Sequence, residues 1–368
     1  MIRTIHKLAL LPVCFVWVIA FSGSLQAQPA TLQAPAGASF EVEIRAPQEI
    51  QAYLQSHLEL LRYRELSDLD ASELERLMEA AERNTRDLLG TLGYFSPDIK
   101  LSRRQTGGEI SSVNKARQVV SIDVAPGEPT RIGAVNLAFA GQLGTDESAV
   151  ARRNAIRASW PLRPGMIFTQ AGWDHAKTQS QQMLTGQRYP AGQIVDSRAE
   201  IDTDGHLASL NVTLDSGPAY RLGSLQISGT ERFNAATVER VARLTPGADY
   251  DRARLQEAQQ RLVDSGYFDS VFVSLDTAGN VDAAPVLIQV REAKRKKLVL
   301  GIGASTDSGP RLSLEHTDHQ VPVIGWRAVS KISIDRDTKS AGTELTAPPD
   351  QGNWRWVTSA LLRKETSG

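Results

Sequence analysis

The stretch "HTDH", from His316 to His319, is the first place where residue types and spacing could do chemistry, since a pair of imidazoles is the start of a metal site. The alternation around it reads as a strand, on which residues three apart point to opposite faces. His316 and His319 therefore diverge and read as solvated turn histidines. His175 and His206 have no neighbouring ligand pattern. "GIGAS" contains Gly-x-Gly but opens no helix, and a fragment of that kind is weak evidence for a phosphate cradle. The chain has no Gly-x-Ser-x-Gly elbow and no His-Glu-x-x-His. The sequence thus nominates no catalytic residue, no cofactor-binding residue, no cofactor and no metal ligand, and it reads as a non-enzymatic protein. One dense basic run, "REAKRKK" (Arg291 to Lys297), reads as a solvated linker, with contact to anionic lipid headgroups as the functional alternative.

The elements that must position these residues belong to a chain of 368 residues with 41 Lys+Arg against 42 Asp+Glu and a formal net charge of -1. That length suggests several small domains. The near-neutral balance gives no electrostatic case for nucleic acid, which needs a basic excess on one face. Hydrophobic content of 41% suffices for packed cores and is too low for a helical membrane protein. At the start, Arg3 and Lys7 precede an apolar run from Leu8 to Phe21, and small residues place a cut after Ala27. That is the layout of a secretory signal peptide, and the run is short of the roughly 20 residues that span a bilayer. Cys14 is the only cysteine and lies inside that run, so the mature chain offers neither a disulfide nor a thiolate ligand. No later segment approaches about 18 consecutive apolar residues, so no transmembrane helix is expected.

After a Pro/Ala-rich linker, "PATLQAPAGA", the chain repeats itself. "FEVEIRAP" alternates like a strand, and Ile50, Leu54 and Leu58 then fall on one helical face. A second helix opens at Ser72, three residues before Glu75 as in a capping box, and stops at Gly93. Two strands follow, "DIKLSRR" and "RQVVSIDVAPG". Further on, Gly127 matches Gly217, Arg131 matches Arg221 and Gly133 matches Gly223, each 90 residues apart. A constant offset over three landmarks marks a domain repeat. "RPGMIF" and "TPGADY" place Pro-Gly in the turn before a second helix, which is longer by about one turn in the middle copy. The helix exits read "LLGTLGYFSPDI", "LTGQRYPAGQI" and "LVDSGYFDSVFV". The Gly-Tyr-Phe is complete in the first and third and degraded in the second. Its aromatics read as core packing over the open end of a two-helix layer. Each unit is a small strand-helix-helix-strand-strand domain.

From Leu298 the pattern changes to period two. "LVLGIGAST", "RLSLEHTD", "WRAVSKISID" and "WRWVTSALLRKE" each set an apolar face against a polar or small one, with Trp326, Trp354 and Trp356 near the ends. Strands wet on one side and in lipid on the other need that pattern. Four such strands are fewer than the roughly eight that the smallest membrane barrels use, so the chain reads as the front part of a longer protein.

Three such units behind a signal peptide, leading into barrel strands, resemble the POTRA-plus-barrel superfamily of outer-membrane assembly factors. The residues that carry the likeness are "SGTERFNAATV", "DSGYFDSVFV" and "GIGASTDSGPRLSLEH". The resemblance implies an α+β chain of three tandem POTRA (β-α-α-β-β) domains followed by the first antiparallel strands of an outer-membrane β-barrel. The expected parts are a signal peptide at 1–27, a linker at 28–38, POTRA domains at 39–127, 128–217 and 218–293, and an incomplete barrel at 294–368. It also implies a bacterial outer-membrane location with the POTRA domains in the periplasm. Implied partners are a large periplasmic protein anchored in the inner membrane, unfolded outer-membrane clients whose strands add to a POTRA edge, and outer-membrane lipid. Alternatives are a two-partner-type secretion transporter and a soluble periplasmic POTRA scaffold.

Overall fold

The computed structural model describes residues 30–31, 40–66, 69–106, 117–305, 309–348, 350 and 354–366. The segment read as a signal peptide lies outside them. The chain divides into two compact units, 1–129 and 130–368.

The first compact unit contains β1 (Ala30–Thr31), β2 (Phe40–Arg45), α1 (Gln48–His57), α2 (Ala71–Thr91), β3 (Asp98–Thr106) and β4 (Arg117–Ala125). Its sheet has the order β1-β2-β4-β3, with β2 parallel to β4 and β4 antiparallel to β3. The core forms where Phe40, Val42, Ile44, Val120 and Ile122 from the sheet meet Leu54, Leu74 and Leu89 from the helices. α2 begins earlier than the Ser72/Glu75 expectation. Asp70 is the N-cap, accepting the Ser72 and Glu73 backbone N–H at 2.8 and 2.7 Å, and Glu73 closes the box by accepting the Asp70 N–H at 3.4 Å. A carboxylate caps at least as well as a hydroxyl, and here it also accepts the Ser72 hydroxyl at 2.8 Å.

The second compact unit opens with two further copies of the same arrangement. One runs β5 (Arg131–Ala140), α3 (Gly141–Thr145), α4 (Val150–Ser159), α5 (Gln170–Thr185), β6 (Gln193–Asp202) and β7 (Leu207–Asp215). The other runs β8 (Leu222–Ser228), α6 (Ala235–Ala242), α7 (Arg252–Asp264), β9 (Phe268–Leu275) and β10 (Ala284–Glu292). Their sheets, β5-β7-β6 and β8-β10-β9, both pair the first strand parallel with the last and the last antiparallel with the middle one.

The landmarks 90 residues apart acquire a physical meaning here. In both sheets the ladder slips just after the first strand begins, between Ile132 and Ala134 in β5 and between Leu222 and Leu225 in β8. A Cβ at Gly223 would lie 2.3 Å from the Ala283 carbonyl oxygen, so only glycine lets β8 approach so closely. The two Pro-Gly turns also pair back onto these strands in one pattern. The Gly165 and Gly247 N–H donate to Ile132 and Leu222 carbonyls at 2.7 and 2.6 Å, and the Phe168 and Tyr250 N–H donate to Thr130 and Tyr220 carbonyls at 2.9 Å. Arg131 Nη1 donates to the Gly165 carbonyl at 2.9 Å, and Arg221 Nε lies 3.5 Å from the Asp249 carboxylate, tying each strand start to its turn.

The C-terminal part is an antiparallel meander of β11 (Lys296–Ser305), β12 (Gly309–Asp318), β13 (Arg327–Ile334), β14 (Thr338–Thr346) and β15 (Val357–Glu365). It has five strands where the sequence suggested four. The extra one, "TKSAGTELT", is built of small and polar residues and carries no apolar alternation to find. Trp354 and Trp356 precede β15 rather than lying on it, and Trp326 precedes β13. The basic run is not a solvated linker: Arg291 belongs to β10 and Lys296 and Lys297 to β11, leaving only Ala293–Arg295 between the strands.

Candidate functional site

Cross-strand register in the meander aligns whole rows of side chains. Leu300, Leu314, Ile332, Ala341 and Leu362 are successive partners, and so are Ile302, Leu312 and Ile334. Because side chains alternate along a strand, these rows share one face. Leu300 is 70% exposed, Ile302 89% and Leu362 78%, so nothing in the chain covers it. The adjacent rows put Gly301, Ser313, Ser333, Ser340 and Arg363 on the other face. There Arg311 Nε donates to Ser333 Oγ at 3.2 Å, and Lys331 Nζ lies 3.5 Å from Glu315. A sheet in water covers its apolar face with helices or a second sheet. This one presents a continuous apolar face outward and a polar one behind it.

The meander meets the third repeat at the exit of α7. Gly266 holds φ at 72°, a left-handed turn that any side chain resists, and a Cβ there would lie 3.2 Å from the Arg327 guanidinium carbon. Phe268 is 4% exposed, and its ring packs edge-on to Phe233 and Tyr267 at centroid distances of 5.8 and 6.4 Å. Burial raises the Tyr267 hydroxyl pKa, with Arg355 and Arg327 opposing it. The Tyr267 carbonyl accepts the Ala293 N–H at 2.9 Å, so the exit is stitched to the first residue past β10. Below it Glu292 clasps the start of "ERF": its carboxylate accepts the backbone N–H of Glu231, Arg232 and Phe233 at 2.8, 2.8 and 2.9 Å and Arg232 Nε at 2.8 Å. Burial would raise the Glu292 pKa, but these hydrogen bonds prevail and hold it below the usual carboxylate range.

His319 closes the junction from the other side, which corrects the expectation of a solvated turn histidine. It lies past the end of β12 and is 6% exposed, with its N–H donating to the Arg295 carbonyl at 2.8 Å. Its ring hydrogen-bonds the Gly266 backbone. Burial lowers its pKa, as do Arg327 and Arg232, while Asp269 and the Gly266 bond pull the other way. His316 sits within β12 between Leu298 and Ser330, so the two imidazoles do diverge. His175 lies on α5, and His206 lies in the turn before β7, where its carbonyl accepts the Arg131 N–H at 2.8 Å. Among the described residues no group of three His, Cys, Asp or Glu could hold a metal, and no helix is long and apolar enough to cross a membrane.

The exit of α5 docks onto the third repeat in a parallel way. Arg188 takes φ 61°, the turn that Gly266 makes, and Tyr189 behind it is fully buried. The Arg188 N–H donates to the Tyr250 carbonyl at 2.8 Å, and its carbonyl accepts the Tyr220 N–H at 2.7 Å. Gln187 bridges Asp251, its amide donating to that carboxylate at 3.2 Å, and Arg252 donates to Thr185 Oγ1 at 2.6 Å. The degraded copy of the motif therefore keeps the backbone turn and the tyrosine while carrying the turn on an arginine. Sequence reasoning missed Arg188, Glu292 and the burial of His319. Each depends on partners more than 50 residues away or across a strand end, and no local pattern marks them.

Residues 220–293 match the POTRA family model, described as "Surface antigen variable number repeat". Among solved structures, BamA from Haemophilus ducreyi lacking POTRA domains 1–3 is similar at 16% identity and a TM-score of 0.49, over 64% of this chain and 43% of that one. POTRA3–5 of Haemophilus influenzae BamA is similar at 17% identity and a TM-score of 0.38, over 62% of this chain and 92% of that one. CdiB from Acinetobacter baumannii gives 12% identity and a TM-score of 0.34, over 75% of this chain and 50% of that one. The chain spans less than half of the H. ducreyi BamA structure and half of CdiB.

Proposed function

We propose that this chain is the periplasmic arm and leading barrel wall of a non-enzymatic outer-membrane protein assembly factor of the TamA type. The observation that carries the reading is the meander directly behind a POTRA repeat, with its apolar rows in register and uncovered on one face and polar rows on the other. In this reading the wall anchors the protein in the outer membrane, and the repeats lie in the periplasm after export and cleavage near Ala27. The strand edges β5 and β8, each outermost in its sheet, offer backbone groups to which an extended client adds. A TamB-like protein anchored in the inner membrane is the proposed partner for the arm.

The test is insertion of the purified full chain into vesicles carrying bromine at defined acyl depths. Trp354 and Trp356, exposed just before β15, should be quenched by shallow bromines, as interfacial aromatics are. A soluble periplasmic scaffold would leave them unquenched and would remain in the supernatant.

A further inference from the structure

Four arginines gather where the third repeat meets the start of β15. A cavity of about 450 Å³ is lined by Arg243, Arg261, Asp264, Tyr267 and Arg355. On its far side a second cavity of about 250 Å³ shares Arg243 and Arg261 and adds Arg254 and Glu257. Arg254 and Arg261 are seven residues apart on α7 and so lie on one face. The two carboxylates are already engaged: Glu257 lies 3.5 Å from Arg261 Nη1, and Asp264 accepts the Gln260 amide at 2.7 Å. Arg243, Arg254 and Arg355 have no ion pair among the described residues. Arg261 donates from Nη2 to the Ala242 carbonyl at 2.6 Å, yet its buried Nε has no acceptor.

Arg243 is there at a conformational cost. It holds φ 54° at the C-cap of α6, where glycine or asparagine is the usual residue. Strained positions of this sort gather where a side chain has a task. Arg355 lies between the exposed Trp354 and Trp356. Register sets these residues beside the membrane edge of the wall: Val357 pairs Thr346, which pairs Arg327, at the same end where Lys296 pairs Asp318 as the chain leaves the third repeat.

We propose that Arg243, Arg261 and Arg355 bind the phosphate of an anionic lipid headgroup at the periplasmic face of the outer membrane. The proposal rests on the membrane-wall reading above. An arginine cluster presents planar, many-donor groups suited to phosphate oxygens. The uncovered apolar rows next to it seat the acyl chains. Inorganic phosphate shares the chemistry but has no use for those rows.

The experiment is flotation of the full chain with vesicles of phosphatidylcholine alone or mixed with phosphatidylglycerol. Arg355→Gln and Arg243→Gly should each weaken the preference for phosphatidylglycerol several-fold, and together about tenfold or more. Tryptophan quenching in phosphatidylcholine should stay unchanged. Arg243→Gly should melt no lower than the parent, because glycine is at home in that turn. A preference unchanged in the double variant overturns the proposal. So does a lower melting temperature for Arg243→Gly, which would make Arg243 a structural brace. Excess inorganic phosphate that abolishes the preference as fully as the variants do would identify a free-anion site and overturn the lipid assignment. Absence of quenching in both vesicle types would overturn the wall reading, and the lipid site with it.

Discussion

The exits of α5 and α7 make one backbone turn with two different residues. At the third repeat Gly266 adopts φ 72° with no steric cost, and Phe268 and Tyr267 seal the layer beneath it. At the second, Arg188 adopts φ 61° and no phenylalanine follows its buried tyrosine. What the exits share is a role: each passes backbone hydrogen bonds to the next body, Arg188 to Tyr220 and Tyr250, and Tyr267 to Ala293. The turn recurs because it is the coupling between consecutive bodies, and the glycine is one way of making it.

The largest expected effect falls on the aromatic seal. Phe268→Ala should cost about 3–5 kcal/mol, and amide hydrogen exchange should show β9 and β10 losing protection. If both strands stay protected, the seal is not what holds the α7 exit. Next is the clasp under that exit. Glu292→Ala leaves three backbone N–H groups and Arg232 without their acceptor and should cost about 2–3 kcal/mol, read by thermal melting of the full chain.

The glycine and the arginine can be tested against each other. Gly266→Ala should destabilise by about 1–2 kcal/mol, since it forces a Cβ into a left-handed turn against Arg327. Arg188→Gly should stabilise by up to about 1 kcal/mol. Equal signs for the two in urea titrations would mean that the turns are not equivalent.

The smallest effect is a pH slope at the third exit only. His319 has a pKa below its ordinary 6.5, chiefly because its ring is buried. The folded state therefore favours the neutral ring. Its contribution is complete above about pH 6.5 and is lost as the pH falls through the depressed folded value. Exchange of amides around Gly266 should quicken on acidification, and His319→Gln should abolish that dependence while leaving the Arg188 exit unaffected.

Local signals carried much of this architecture. The offset of 90 between Gly133 and Gly223 was readable because close backbone approach leaves a residue signature. The Pro-Gly turns and the alternation of β11, β12 and β13 were readable for the same kind of reason. β14 escaped because small residues at a wall surface satisfy the ladder without declaring a face. The capping box was misplaced by two residues because Asp70 and Ser72 are both good caps, and only the geometry chooses between them. Arg188, Glu292 and His319 take their meaning from groups brought to them by folding, and the arginine cluster likewise draws on α6, α7 and the approach to β15.

The ladder slips in β5 and β8 act as phase shifts in a periodic signal. Ahead of the slip the inward positions are Ile132 and Leu222; behind it they are Val135 and Leu137, and Leu225 and Ile227. The interval across the slip is three residues, and on either side it is two. A single-residue deletion at Gly133 or Gly223 would therefore restore perfect alternation on paper and invert every side chain on one side of the cut. These first strands should tolerate insertions and deletions at their tips and reject them at this one point, where the irregularity keeps two registers of the same strand in agreement.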